Sequence, residues 1–143
     1  MSKPFHLAIP AGDLNIATAF YTDVLGCKLG NRGEDKWVDV DFWGNELTLH
    51  KTHMKLPRER HDVDMGNVAI PHFGVHLDKE VFYKIKENLK IKNIKYLDKP
   101  YTRFEGREEQ QETFFIEDPH GNVLELKTLQ KEIFLKFKSF FFS

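Results

Sequence analysis

Apolar and polar positions alternate in short stretches along the chain, and this pattern predicts strands arranged around two amphipathic helices. In the first stretch, three apolar side chains share one face of a predicted strand, and His6 points to the other face. Asp13 then opens a helix whose apolar stripe ends at Gly26. The strands predicted in this first unit lie at 4–9 and at about 27–30, 37–43 and 45–51.

The same order of elements returns in the second half of the chain. His72 follows His6 at an offset of 66 residues (72 − 6), and Asp78 then opens a second helix. A repeated strand–helix–strand–strand–strand unit is stronger evidence for a fold than any single motif. We therefore predict an α+β fold in which two βαβββ modules, at about 4–51 and 71–128, form a curved, cup-like mixed sheet with helices outside.

The last strand of the second unit carries a carboxylate among aliphatic neighbours. Residues 118–121 (Asp-Pro-His-Gly) predict a type I turn, and Glu125 lies in the strand that follows. A carboxylate in mid-strand is costly to bury unless it is paired or bound to a metal. His6 and His72 stand at the starts of matching strands. The three residues together make a mixed nitrogen and oxygen set that suits a divalent metal ion.

Length and composition predict one globular domain at residues 1–130. The chain has 143 residues and a formal net charge of −1, so we expect no nucleic-acid partner. A single cysteine, Cys27, is typical of a reducing compartment, and no apolar stretch is long enough to span a membrane. We therefore expect a cytoplasmic protein without membrane association. The polar residues 52–70 predict a connecting loop, and the Phe-rich residues 131–143 predict a helical tail laid over a sheet or a partner subunit.

The motifs around these positions resemble the vicinal oxygen chelate superfamily, which includes glyoxalase I, extradiol dioxygenases, fosfomycin-resistance transferases and bleomycin-binding proteins. The resemblance covers about residues 4–128 and rests on segments 5–10, 19–26, 71–75 and 118–125. It implies paired βαβββ modules. It also implies that His6, His72 and Glu125 hold a divalent metal ion (Fe, Mn, Ni, Co or Zn) that acts on a small-molecule substrate.

The fourth ligand found in some members of that family is missing at the matching position. The repeat places Thr48 opposite Glu125 (125 − 77 = 48), and threonine is a poor metal ligand. Glu46 and His50 share its face, and either is a candidate to replace it. A three-ligand site resembles the iron sites of the dioxygenases, whereas a four-ligand site resembles glyoxalase I. Thr48 stands where a glyoxalase carries its glutamate base, which argues against that reaction.

Three further residues are candidates for substrate binding and proton transfer. His50 is of the residue type most used in acid–base catalysis. Tyr101 and Arg103 lie in a segment by which the second unit is longer, and they are predicted to line the pocket mouth, where Arg103 can bind a substrate carboxylate. We also predict a homodimer. The sequence leaves open whether the site closes within one chain or across the dimer.

Two classes of function fit these residues. The first is a metal-dependent dioxygenase or lyase that binds a small substrate through two adjacent oxygens, with the ion as Lewis acid. The alternative is a metal-free small-molecule (drug) binding protein of the bleomycin-resistance type, with an aromatic groove at a dimer interface. A domain that regulates a partner protein is a third, weaker hypothesis. Three convergent ligands favour the enzyme, because a pure binding protein has no use for them.

Overall fold

The computed structural model describes residues 3–63 and 66–130 and contains two βαβββ modules joined by a hairpin. The predicted duplication is confirmed. In chain order the elements are β1 (His6–Pro10), α1 (Leu14–Ala19) with a π-helical turn (Phe20–Val24), β2 (Lys28–Gly33), β3 (Trp37–Phe42), β4 (Asn45–His50), the hairpin β5 (Glu59–Val63) and β6 (Gly66–Ile70), β7 (Phe73–His76), α2 (Lys79–Ile91), β8 (Asp98–Arg103), β9 (Gln111–Glu117) and β10 (Val123–Leu129).

Local sequence explains how the first module begins and turns. The Asp13 carboxylate accepts a hydrogen bond of 3.0 Å from the Ile16 amide, so it caps α1 as predicted. Between β3 and β4 the chain turns in two residues, Trp43 and Gly44, which both have positive φ (49° and 86°). Such a turn matches the right-handed twist of a hairpin and fixes the pairing of the two strands.

Each module forms a four-stranded mixed sheet, with strand orders β1-β4-β3-β2 and β7-β10-β9-β8. The parallel pairs have matching register: Thr48 lies opposite Ala8, and Glu125 lies opposite Gly74. The structure therefore confirms that Thr48 is the counterpart of Glu125. A Cβ at Gly74 would collide with the backbone carbonyl of Glu125, so this close approach of β7 to β10 requires glycine.

Both sheets bury one face in a single shared core that also contains the two helices. The modules touch through Phe42 and Phe73, whose ring centroids are 5.6 Å apart. The helices meet where the Asn88 side chain donates a hydrogen bond of 3.2 Å to the Val24 carbonyl. Since each sheet turns one face toward this core, the opposite faces point away from it. We call these the outer faces of the first and second sheets.

A second connection joins the modules at the turn before β10. Gly121 N donates to Asp118 O (3.0 Å), so the predicted turn is present. The buried Asp118 carboxylate accepts a hydrogen bond of 2.8 Å from the Tyr21 hydroxyl of the first module. The Asn122 side chain donates to Pro10 O at 2.7 Å. The motif that follows β9 therefore holds the modules together.

The prediction of a simple loop at 52–70 was wrong. The hairpin β5–β6 lies in this segment and packs Ala69 against Phe115 and Val123 on the outer face of the second sheet. The guanidinium of Arg60 reaches the Asp98 carboxylate at 3.1 Å and helps to hold it there. All five side chains of β5 are exposed and three of them are charged, so β5 lacks the apolar alternation that identifies a strand in a sequence.

The prediction that Tyr101 and Arg103 lie in an extra segment of the second unit was also wrong. Both belong to the edge strand β8, and Tyr101 pairs with Thr113 of β9. Part of the added length lies in the connection at 104–110, which has seven residues where the first unit has three at 34–36. The predicted tail at 131–143 lies outside the described residues. Among residues 3–63 and 66–130, no helix is both long enough and apolar enough to cross a membrane.

Candidate metal centre

His72 and Glu125 form a pair on the outer face of the second sheet. His72 Nε2 lies 3.3 Å from Glu125 Oε1. The carboxylate is buried, with 8% of its side chain exposed, and the imidazole is about one quarter exposed at 24%. A mid-strand carboxylate therefore does have the polar partner that its burial requires.

The second oxygen of Glu125 is already bound. Thr113 Oγ1 donates to Glu125 Oε2 at 2.7 Å, while Lys127 Nζ lies 3.6 Å from Oε1. Burial opposes ionisation of Glu125, but the hydrogen bond from His72, the charge of Lys127 and the Thr113 hydroxyl lower its pKa to about 2. The group is therefore a carboxylate at neutral pH, and Oε1 is the oxygen that faces His72.

The hairpin orients the His72 ring. His72 Nδ1 is 2.7 Å from the carbonyl oxygen of Ala69 in β6, so Nδ1 carries the proton and donates it. The ring also packs edge-on against Phe115, with centroids 5.1 Å apart. The hydrogen bond to Glu125 raises the pKa of His72, although desolvation acts in the opposite direction. Nε2, the nitrogen that faces Glu125, carries a proton when it donates to that carboxylate, so it would have to release this proton to act as a metal ligand.

His6 lies on the outer face of the first sheet and has a comparable arrangement. Its Nδ1 is 2.7 Å from Oε1 of Glu46, its cross-strand neighbour on β4. A carboxylate on one ring nitrogen of a histidine is a common way of orienting the other nitrogen toward a metal. Both side chains of this pair are more than half exposed. The contact indicates that Glu46 orients His6, a role the sequence did not suggest.

The structure brings together only part of the predicted site within one chain. His72 and Glu125 are adjacent, as are His6 and Glu46, but the two pairs lie on different outer faces. Within the described part of the chain, no three His, Cys, Asp or Glu side chains cluster tightly enough to hold a metal ion. The three predicted ligands therefore do not come together within the described part of the chain.

The remaining predicted residues divide between the two outer faces. His50, at the end of β4, is exposed on the first outer face. Tyr101 shares the second outer face with Thr113, to which it is paired, and Arg103 lies two residues further on the same face. His76 also lies on this face, where burial and the charge of Lys127 lower its pKa to about 4.

Asp39 was not identified from the sequence as a neighbour of Thr48, the position of the missing ligand. Asp39 pairs with Thr48, and the Thr48 hydroxyl donates to its carboxylate at 2.7 Å. The pairing could have been predicted from the sequence, because a two-residue turn after Phe42 places residue 39 opposite residue 48. The Thr48 hydroxyl is thus already engaged, as expected of a residue that does not bind a metal.

Comparisons with known proteins identify the family of this chain. The family model of the glyoxalase/bleomycin resistance protein/dioxygenase superfamily matches residues 3–126. The chain belongs to this superfamily. Its structure is similar to that of a superfamily protein from Alicyclobacillus acidocaldarius, at 37% sequence identity and a TM-score of 0.69. That match covers 91% of this chain and 93% of the other.

More distant superfamily structures support the fold alone. The fosfomycin resistance protein FosX from Listeria monocytogenes is 16% identical, with a TM-score of 0.67 and coverage of 90% of this chain and 93% of that one. Lactoylglutathione lyase from Agrobacterium tumefaciens is 20% identical, with a TM-score of 0.62 and coverage of 90% and 94%. A search of curated proteins gives no match.

Proposed function

We propose that this superfamily member is a metal-dependent enzyme that binds a small substrate through two adjacent oxygens, with His6, His72 and Glu125 as metal ligands. The orientation of the two imidazoles carries the proposal. The Nδ1 of His72 contacts Ala69 O, and the Nδ1 of His6 contacts the Glu46 carboxylate. In each ring, Nε2 is therefore the nitrogen that is left to bind a metal ion. A divalent ion in such a site supplies Lewis-acid stabilisation to negative charge on substrate oxygens.

The site is proposed to form across a homodimer. His6 of the partner subunit joins His72 and Glu125 when the first outer face of one copy lies over the second outer face of the other. The arrangement creates two equivalent sites, as two-fold symmetry requires.

The donor set favours a three-ligand site. Glu46 is engaged with His6 as an orienting group, and the Thr48 hydroxyl is engaged with Asp39. Two histidines and one carboxylate with open positions are typical of non-haem iron oxygenases. We therefore favour dioxygenase-like chemistry with iron over a glyoxalase I reaction.

Three other residues have proposed roles around the substrate. Arg103, on the second outer face, binds an anionic group of the substrate. Tyr101 lies on the same face, and His50 of the partner subunit approaches from the first outer face. Either can hold or transfer a proton at a substrate oxygen. A cytoplasmic location also remains part of the proposal.

Metal analysis of the purified full-length protein tests this function. We expect about one divalent ion per chain in the wild type, and a loss of at least tenfold in metal affinity in His72→Ala. His61→Ala is the matched control, because His61 is an exposed histidine on the hairpin and should leave the metal content unchanged. A wild type that takes up no stoichiometric metal would instead support the metal-free binding protein.

Thr113→Val is expected to weaken metal binding about 10- to 100-fold while the chain stays folded. The substitution keeps the shape of the side chain but removes the hydroxyl that holds Glu125 Oε2. Calorimetric titration of metal into metal-free protein measures the change. Thr102→Val on the neighbouring strand is the control, since Thr102 lies on the opposite face from Tyr101 and Arg103. Equal metal affinities of the two variants would show that Thr113 does not position the Glu125 carboxylate for metal binding.

A further inference from the structure

A cavity of about 230 Å³ lies between the two modules, where the edge strands β1 and β7 begin. Its walls come from four separate segments of the chain. Leu7 and Ile9 of β1 form one side, Leu56 of the linker covers it, and Phe73 and Val123 form the other side. Because four segments contribute, the cavity is a product of the tertiary fold.

The polar groups around the cavity already have protein partners. The Arg58 guanidinium pairs with the Glu117 carboxylate at 3.1 Å. The Asn122 side chain donates to Pro10 O at 2.7 Å and to the Asp118 carboxylate at 2.8 Å. The surface that a ligand meets is therefore mainly aliphatic and aromatic. Such a surface favours a neutral apolar group over a charged one.

His72 connects this cavity to the candidate metal centre. Its ring lines the cavity, and its Nε2 faces Glu125 Oε1 at 3.3 Å. A molecule bound through two oxygens beside Nε2 therefore has an apolar space within reach of the same imidazole. An engineered apolar cavity of about 150 Å³ is large enough to bind benzene. The space here is sufficient for one aromatic ring with a short substituent, or for a six-carbon chain.

We propose that this cavity binds a neutral apolar group of the substrate, and that its size and lining select substrates that carry such a group next to their vicinal oxygens. The inference rests on the proposed function for the position of the oxygens. The cavity itself does not depend on a metal. The two proposals can therefore be tested separately.

Alkyl hydroxamates test the inference, because each presents two adjacent oxygens and a chain of chosen length. Calorimetry on metal-loaded wild type should show hexanohydroxamate binding about 250-fold more tightly than acetohydroxamate, since it has four more methylenes and each buried methylene contributes roughly fourfold. Leu56→Trp fills the cavity and should reduce this ratio below about fivefold. Met54→Trp is the matched control, because Met54 lies in the same linker, is exposed and does not line the cavity. It should keep the wild-type ratio.

Several results would overturn the inference. A wild-type ratio near one, or equal ratios in the two tryptophan variants, would show that the cavity does not receive the chain. If Leu56→Trp shifts the monomer–dimer equilibrium in sedimentation without changing the ratio, the cavity is part of a subunit contact. Circular dichroism confirms that each variant is folded. Leu56→Ala removes one wall of the cavity without adding bulk, and it should also lower the ratio of the two hydroxamate affinities.

Metal-free protein separates this inference from the proposed function. Calorimetric titration with 4-ethylphenol, a neutral probe of one ring with a short substituent, should show binding that Leu56→Trp removes and Met54→Trp retains. If the protein takes up no metal but binds the probe in this way, the proposed enzyme fails and the cavity inference stands. If metal binds and neither probe binding nor hydroxamate selectivity depends on Leu56, the cavity inference fails alone.

Discussion

A mixture of His6→Ala and His72→Ala protein is expected to bind metal that neither variant binds alone. In a site shared between subunits, each heterodimer combines an intact His6 from one chain with intact His72 and Glu125 from the other. Its second site lacks both histidines. Random exchange makes half of the dimers mixed, so about one quarter of the wild-type metal content should return. Co-refolding followed by metal analysis measures this recovery.

The control is a mixture of His72→Ala and Glu125→Ala. Both residues lie on the same outer face, so no heterodimer of these two variants contains a complete site. Recovery in the first mixture only would support a site shared across the dimer. Failure in both mixtures, with heterodimer formation shown by a tagged subunit, would contradict it. A mixture of His6→Ala with Glu125→Ala should behave like the first.

Asp118→Ala is expected to destabilise the protein by about 3–5 kcal/mol. The buried carboxylate accepts hydrogen bonds from the Tyr21 hydroxyl, the His120 amide, and both the amide and side chain of Asn122, at 2.8–2.9 Å. Burial and Asp118 raise the pKa of Tyr21 well above its usual value, so this phenol keeps its proton as a donor. Removal of the Asp118 carboxylate leaves these four hydrogen-bond donors without this acceptor. Urea denaturation measures the free energy of unfolding.

Two other variants test the cause of this loss. Tyr21→Phe removes one of the four donors and should cost only about 1–2 kcal/mol. Asp62→Ala removes an exposed aspartate from the hairpin and should change stability by less than about 0.5 kcal/mol. Equal effects of Asp118→Ala and Asp62→Ala would show that the turn does not hold the modules together.

The sequence was sufficient to predict the two βαβββ modules and the face on which each candidate ligand lies. Alternation along β1 and β10 assigns His6 to the face opposite Leu7 and Ile9 and Glu125 to the face opposite Leu124 and Leu126, and this depends only on backbone geometry. The offset between the units correctly matched Thr48 with Glu125. These properties are periodic and local, so they can be read from neighbouring residues.

Contacts between distant segments could not be read in this way. The hairpin β5–β6 is stabilised by packing of Ala69 on Phe115 and Val123, and all side chains of β5 are exposed. The acceptor of His72 Nδ1 is a backbone carbonyl in that hairpin, which no side-chain pattern indicates. Glu46, a candidate fourth ligand by sequence, instead contacts His6 directly.

The sequence by itself determined the repeated module, the placement of His6 and Glu125 in strands and of His72 directly before one, and the turn at 118–121. Periodicity and short-range backbone preferences are enough to specify them. Only the tertiary structure decided that both sheets share one core, with the ligand-bearing faces directed away from it. Apolar faces of helices and sheets can pack either within one chain or across a dimer, and the sequence pattern is the same in both cases. Specific contacts between the modules, such as that of Tyr21 with Asp118, select packing within the chain.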